Sequence, residues 1–517
     1  MHSRQFWMIG LHMVALAALG FGLSACASPR PSAITPASVW AQGQLPTGAA
    51  PVIDTPTRSY NLPPMRPPGS PELTPTPDAP HYQPGALRTP QAYVVQSGDA
   101  LSAIAQKYNV NMQALAQVNK LTDPDALQVG QTLTIPLATP RPAVPGVKII
   151  PDSELVYGPL AEKTDVQALI QSKAGYLANY SQVVNGDTLD AAQVVLLAAR
   201  ESSINPRLLL ALLEYRSNWL TNPQPDPSLD EQPFGFSDAW YHGLYRQLEW
   251  AAIQLNTGYY GWRSKAVTNW ILSDGSVVPI DPTINAGTAG VQNFFARLDD
   301  YSSWLKDVSP AGFYATYHKL FGDPFDLAIE PLVPADLVQP LMALPFGPGE
   351  TWFFTGGPHL AWLDGTPYGA IDFAPPGDTQ CGDESDAWVT AVADGVVTRT
   401  GNGEVILDLD GDGNEGSGWD ILYMHIETRD RVQPGTVLHV GDHIGHPSCE
   451  GGDATGMHVH IARKFNGEWL SALGPLPFNL SGWVSAGTGE QYVGTLTRNG
   501  VILHNFDGAS PDNQVQR

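Results

Sequence analysis

Apolar and polar positions change their spacing several times along this chain. Phe6 to Leu23 is an apolar run, interrupted by His12, behind His2 and Arg4. Residues 27–90 have no periodic pattern, and PTRSYNLPPMRPPGSPELTPTPDAP has too few apolar side chains to build a core. From Ala92 to Pro136 the pattern becomes regular. Tyr93-Val94-Val95 predicts a strand, Gly98-Asp99 a turn, and Leu101, Ile104, Ala105 and Tyr108 a helix. Met112, Leu115, Ala116 and Asn119 predict a second short helix, and Thr132–Ile135 a closing strand.

Thr139 to Gly146, TPRPAVPG, again lacks a pattern. Between Asp152 and Phe325 the spacing is helical, as in LDAAQVVLLAARESS, and Leu209, Leu212, Leu213 and Leu220 form a stripe. Asn205-Pro206 fits a helix start. After a connector rich in proline, alternation takes over. Trp352–Phe354, Ala387–Val392, Gly395–Thr398, Val405–Leu409, Trp419–His425 and Thr436–Val440 predict strands.

The expected organisation is a multidomain α+β chain. Residues 1–25 form a signal segment, 26–90 a linker, 91–138 a small βααβ module and 139–151 a second linker. Residues 152–326 form an all-α domain, 327–345 a connector and 346–517 an antiparallel β-sheet domain. The length of 517 residues leaves room for about three domains. A formal charge of −24, from 27 basic and 51 acidic residues, argues against nucleic acid, which calls for basic patches.

The candidate chemistry lies near the C-terminus. His359 and Asp372 are separated by twelve residues, and His458-Val459-His460 follows later, with His425 between. On a strand, residues two apart share a face. Met457, Val459 and Ile461 are apolar and alternate with the two histidines, which would both turn toward a cleft. Imidazole and carboxylate suit Zn²⁺, and a catalytic zinc site uses three protein groups. His359, Asp372 and one histidine of the pair would supply them, leaving the other and His425 for proton transfer or oxyanion stabilisation.

These segments resemble the lysostaphin and β-lytic zinc endopeptidases, which cut peptide bonds in bacterial cell walls. The resemblance runs from about Phe346 to Trp483. It rests on His359/Asp372, Tyr423-Met424-His425 and Gly456-Met457-His458-Val459-His460, with AVADGVV and GDHIGH between them. It implies His359, Asp372 and His460 as zinc ligands, and His425 and His458 as catalytic histidines. Most members carry a short H-x3-D, and Tyr368 stands at that position here. The longer spacing is that of the β-lytic, staphylolysin-like branch. Some relatives have lost the metal and regulate other wall hydrolases, which is the alternative reading.

YVVQSGDALSAIAQKYNV with NKL and ALQVGQTLTIP resembles a LysM module, which binds N-acetylglucosamine polymers such as peptidoglycan or chitin. That likeness implies a glycan-binding loop at Gly98, Asp99, Ala100 and Leu101, while turn chemistry explains Gly98 and Asp99 equally well. Leu23-Ser24-Ala25-Cys26 resembles a bacterial lipoprotein signal, implying a lipid on Cys26 and attachment to a membrane of the cell envelope.

INPRLLLALLEYRSNWL resembles the segment in which lysozyme-type lytic transglycosylases place a glutamate before a serine. Here Arg216 precedes Ser217, and arginine does not donate a proton. The domain is therefore expected to bind glycan or act as a spacer, with Glu214 or Glu201 as the alternative acid. Trp240, Tyr241, Tyr259, Tyr260 and Trp262 would be sugar platforms or core.

Cys381 and Cys449 fall in loops of an exported domain and are expected to form a disulfide. The alternative is a cysteine-containing zinc site near His446 and His458. Asp408, Asp410 and Asp412 match the opening of a Ca²⁺ loop, but Trp419 occupies the twelfth position, where a bidentate glutamate belongs. A tight acidic hairpin is the preferred reading there, with Ca²⁺ as the alternative. The whole reads as an exported zinc endopeptidase of cell-wall peptide stems, held on glycan by LysM.

Overall fold

A computed structural model describes residues 91–96, 99–108, 110, 112–121, 127–136, 146–377 and 380–517. The signal segment, Cys26, the first linker, Gly98 and residues 139–145 lie outside the described residues. Among the described residues no helix is long and apolar enough to cross a membrane.

The first module is βααβ. Strand β1 (Gln91–Val94) pairs antiparallel with β2 (Thr132–Ile135), and helices α1 (Leu101–Tyr108) and α2 (Met112–Val118) lie between them in sequence. Leu101, Ile104, Ala105, Leu115, Leu133 and Ile135 form its core.

The middle region contains helices α3 (Val166–Lys173), α4 (Ala191–Ser202), α5 (Pro206–Ser217), α6 (Gly243–Arg263), α7 (Ala286–Ala296), α8 (Tyr301–Asp307) and α9 (Phe313–Phe321). Helix α5 begins as its sequence dictates. The Asn205 side chain caps Arg207 N–H at 2.9 Å, and Pro206 fills the first turn.

The all-α expectation needs correction. Two hairpins interrupt the helices, β3 (Ser181–Val184) with β4 (Asp187–Asp190), and β5 (Asn269–Ile271) with β6 (Val277–Pro279). Asn185 and Gly186 make the first turn with φ of 54° and 92°, the double positive-φ turn that suits a two-residue hairpin. Nor are residues 146–151 all linker, because Ile149 and Ile150 are buried in the helical core. The 327–345 connector likewise packs down, with Leu332, Leu337, Met342 and Leu344 buried.

The C-terminal region is built on one large sheet. Its strands are β7 (Thr351–Leu360), β8 (Tyr368–Ala374), β10 (Gly395–Gly401), β11 (Glu404–Asp408), β12 (Trp419–Met424), β13 (Val437–Leu438), β15 (Val459–Phe465) and β21 (Gln514–Gln516), ordered β13-β10-β11-β12-β15-β8-β7-β21. A short β16 (Glu468–Trp469) pairs with β15, while β9 (Val389–Thr390) pairs with β14 (His443–Gly445). Strands β17 (Asn479–Leu480), β18 (Trp483–Gly487), β19 (Gly494–Arg498) and β20 (Val501–His504) form a separate four-stranded sheet.

Alternation gives the large sheet two buried faces. Val405, Leu407, Ile421, Tyr423, Val459, Ile461 and Phe373 pack on one side, within the C-terminal core. Ile406, Leu422, Ala462 and Ala370 pack on the other, against the helices. Polar contacts tie this junction. Tyr259 donates to Glu468 Oε2 at 3.1 Å, Trp469 N–H to the Tyr260 hydroxyl at 2.9 Å, and Arg263 Nε lies 3.1 Å from Glu468 Oε1.

Candidate metal centre

Three side chains converge where β7, β8 and β15 run side by side. Register opposes His460 to Asp372, and Asp372 to Gly356. Asp372 and His460 therefore leave the same face of the sheet. Irregular pairing between Phe354 and Leu360 brings His359 over them. Gly356 is required there, since a Cβ at that position would stand 2.1 Å from Asp372 Oδ2.

His359 Nε2 lies 2.9 Å from His460 Nδ1 and 3.3 Å from Asp372 Oδ1, and His460 Nδ1 lies 3.4 Å from the same oxygen. Tetrahedral zinc ligands at 2.0–2.1 Å are separated by about 3.3–3.4 Å. All three residues are buried.

The donor chemistry fits a cation. His359 Nδ1 faces the Gly357 carbonyl at 2.8 Å, and His460 Nε2 faces the Ala361 carbonyl at 3.1 Å. A carbonyl only accepts, so those nitrogens carry the protons. Both inner nitrogens then present lone pairs to each other and to Asp372 Oδ1, a buried oxygen with no hydrogen-bond partner. Three acceptors this close require a positive ion between them.

The other two histidines line the same place. His458 is half-buried, with Nδ1 on the Gly456 carbonyl at 2.8 Å and Nε2 turned toward Asp372 Oδ1 at 3.9 Å. His425 is buried against it, their ring centroids 4.4 Å apart, and its Nδ1 faces the Glu450 carbonyl at 3.0 Å. Burial first, and then the neighbouring rings of His458 and His460, push His425 well below its ordinary pKa, so the ring is neutral. His425 adopts a positive φ of 64°, a costly backbone for a non-glycine residue. Ser448 N–H and its hydroxyl hold the His425 carbonyl at 2.7 and 3.1 Å.

Tyr492 also belongs to the site, and the spacing of the histidines gives no sign of it. Its ring stacks on His359, with centroids 4.3 Å apart and planes 21° apart. Tyr368 begins β8 opposite Leu360 and stands outside the cluster.

Cys381 and Cys449 are bonded to each other, with S–S at 1.95 Å, so neither is a metal ligand. Asp408, Asp410 and Asp412 come together on the β11–β12 hairpin, at the far end of the sheet from the histidines. In the βααβ module, Asp99 accepts from Gln96 N–H and the Tyr93 hydroxyl, both at 2.7 Å. Ala100 is exposed, and the Leu101 side chain is buried in the core, which leaves only its backbone for a ligand.

The helical region has no exposed acid at the positions considered. Glu214 accepts from Leu220 N–H, Thr221 N–H and the Thr221 hydroxyl, and Glu201 from the Tyr245 hydroxyl at 2.7 Å. Arg216 pairs with Asp299 at 2.9 Å. Tyr259, Tyr260 and Trp262 are core residues, while Trp240 and Tyr241 are partly exposed.

Residues 148–334 match the family described as "LasA, N-terminal domain", and residues 93–136 match "LysM domain". Protease LasA of Pseudomonas aeruginosa (strain UCBPP-PA14) is 27% identical over 354 residues, covering 64% of this chain and 77% of the relative. The cortical fragment-lytic enzyme of Bacillus subtilis (strain 168) is 48% identical over 48 residues, 9% of this chain and 11% of that protein. The chitin elicitor-binding protein of Oryza sativa subsp. japonica is 45% identical over 53 residues, 10% of this chain and 15% of that protein. The chain thus joins a LysM module to a long region similar to LasA proteases.

Proposed function

We propose that this chain is a peptidoglycan hydrolase, a zinc-dependent endopeptidase of cell-wall cross-linking peptides that is held on glycan by its LysM module. One observation carries the reading. His359, Asp372 and His460 bring two imidazole lone pairs and a partnerless carboxylate oxygen within 3.4 Å of one another. His359, Asp372 and His460 would hold a zinc ion, which when bound would supply Lewis acidity toward a peptide carbonyl and toward water.

The protein's own groups do the rest. His458, anchored through Nδ1, presents Nε2 beside Asp372 and is open enough for water to reach it. It takes the proton of the attacking water and returns it to the leaving amine. His425, neutral and anchored on Glu450, presents its other nitrogen to the same space and relays a proton or steadies the developing oxyanion. The likeness to a protease named LasA supports peptide hydrolysis, and the likeness of the first module to a chitin elicitor-binding protein supports glycan binding. A metal-free regulator is not favoured, because the ligand set is complete. The export signal and a lipid on Cys26 complete the proposal and place the enzyme at the cell envelope.

The test is clearing of purified peptidoglycan. A chelator and, separately, His458→Ala should each remove activity, the substitution by about 10²–10⁴-fold. Fresh amino termini should appear in wild-type digests. Undiminished clearing in both cases, or new reducing ends without new amino termini, defeats the reading.

A further inference from the structure

The β11–β12 hairpin gathers three aspartates. One oxygen each of Asp408, Asp410 and Asp412 lies within 4.8 Å of the other two. Oxygens sharing one Ca²⁺ at about 2.4 Å are at most about 4.8 Å apart. Gly413, sixth counting from Asp408, has φ of 79° and donates its N–H to Asp408 Oδ2 at 2.7 Å. Calcium loops of the D-x-D-x-D-G type place a glycine at that turn. The pattern lacks a bidentate carboxylate at the twelfth position, held here by Trp419.

Asp420, which stands just outside the three-residue cluster, is the candidate to supply one. Asp420 is 0% exposed, and neither carboxylate oxygen has a hydrogen-bond partner. Register sets it opposite Asp408 on one side and Lys464 on the other, so its carboxylate leaves the same face as that of Asp408. The Lys464 ammonium is engaged by Glu415 Oε2 at 3.2 Å. Lys464 alone offsets a buried carboxylate that also faces those of Asp408 and Asp410, so the group calls for a further cation.

We infer that the hairpin is a calcium site, in which Asp408, Asp410 and Asp412 bind from the loop and Asp420, one residue past the usual twelfth position, closes the shell from β12. Donors that are all oxygen select a hard ion over zinc. The loop also meets the helical region, since a Cβ on Gly416 would stand 2.9 and 3.1 Å from the carbonyls of Gly158 and Tyr157. Calcium would therefore brace the junction between the helices and the sheet. None of this depends on the peptidase reading.

The experiment uses the full chain, stripped of divalent ions and resupplied with one equivalent of zinc. Calorimetric titration with Ca²⁺ alone should show one site per chain, and Ca²⁺ should raise Tm. Tb³⁺ in the same site should luminesce on excitation of Trp419, which adjoins Asp420. Asp420→Asn and, separately, the exposed-loop variant Asp412→Asn should weaken Ca²⁺ at least tenfold with zinc content unchanged. Absence of Ca²⁺ binding at millimolar concentration overturns the inference. So does binding of wild-type strength in either variant.

Discussion

Gly356→Ala should break the metal centre without unfolding the domain. Gly356 lies within β7, directly opposite Asp372. An added Cβ would stand 2.1 Å from Asp372 Oδ2, 2.7 Å from Cγ and 3.0 Å from Cβ. Ordinary nonbonded approach is about 3.5 Å, so the carboxylate must retreat by roughly 1.4 Å. Catalytic groups tolerate displacements of about 0.5 Å, and 1 Å costs on the order of 10² in rate. Overpacking of this kind costs about 1–3 kcal/mol of stability. The expected result is a folded protein with clearing activity down about 100-fold and weakened zinc affinity. Gly401→Ala is the matched control, since its Cβ would meet nothing within 4 Å. It should stay within about 0.5 kcal/mol of wild type and keep full activity. Dye release from labelled peptidoglycan, elemental analysis and thermal melts read these quantities. A Gly356→Ala protein with a full complement of zinc and wild-type activity would show that the space beside Asp372 does not set the position of its carboxylate.

Two further predictions concern stability. Burial, and then the carboxylate of Glu404, push Glu201 up to about 8. The folded state therefore keeps a proton that the unfolded chain has released above about 4.5, and stability should fall as pH rises through that window. Glu201→Gln keeps an acceptor for Tyr245 and should flatten this fall, gaining on the order of 3–5 kcal/mol over wild type at pH 8–9 in denaturant melts. A wild-type curve that is flat from pH 5 to 8 would count against it. The Cys381–Cys449 bond closes a loop with a sequence separation of 68, so Cys381→Ser with Cys449→Ser should cost about 4 kcal/mol on loop entropy, lowering Tm without changing the metal ligands. An unchanged Tm in the double variant would contradict this.

The parts of the site legible in the sequence are those set by local spacing. Alternation around His458 and His460 foretells two imidazoles on one face, and both do approach Asp372. The arrival of His359 depends on irregular pairing in β7, which apolar periodicity does not encode. The carbonyls of Gly357 and Ala361 that fix the tautomers are likewise set by the path of the chain. Tyr492 reaches His359 from beyond the last motif, through backbone bonds at Gly357 and Pro358. In the middle region, Asn185-Gly186 is a hairpin signal that surrounding helical spacing obscures. Glu201 reads in the sequence as an alternative acid to Glu214, because its burial beside Arg399 and Glu404 arises only when the helices meet the sheet.

Activity depends here on three side chains sharing one ion, and that ion can be counted. Elemental mass spectrometry on freshly purified protein should find about one zinc per chain in wild type and near none in Asp372→Ala, at equal helix and sheet content by circular dichroism. A wild-type protein that clears peptidoglycan while free of metal, or an Asp372→Ala protein that keeps its zinc, would contradict it.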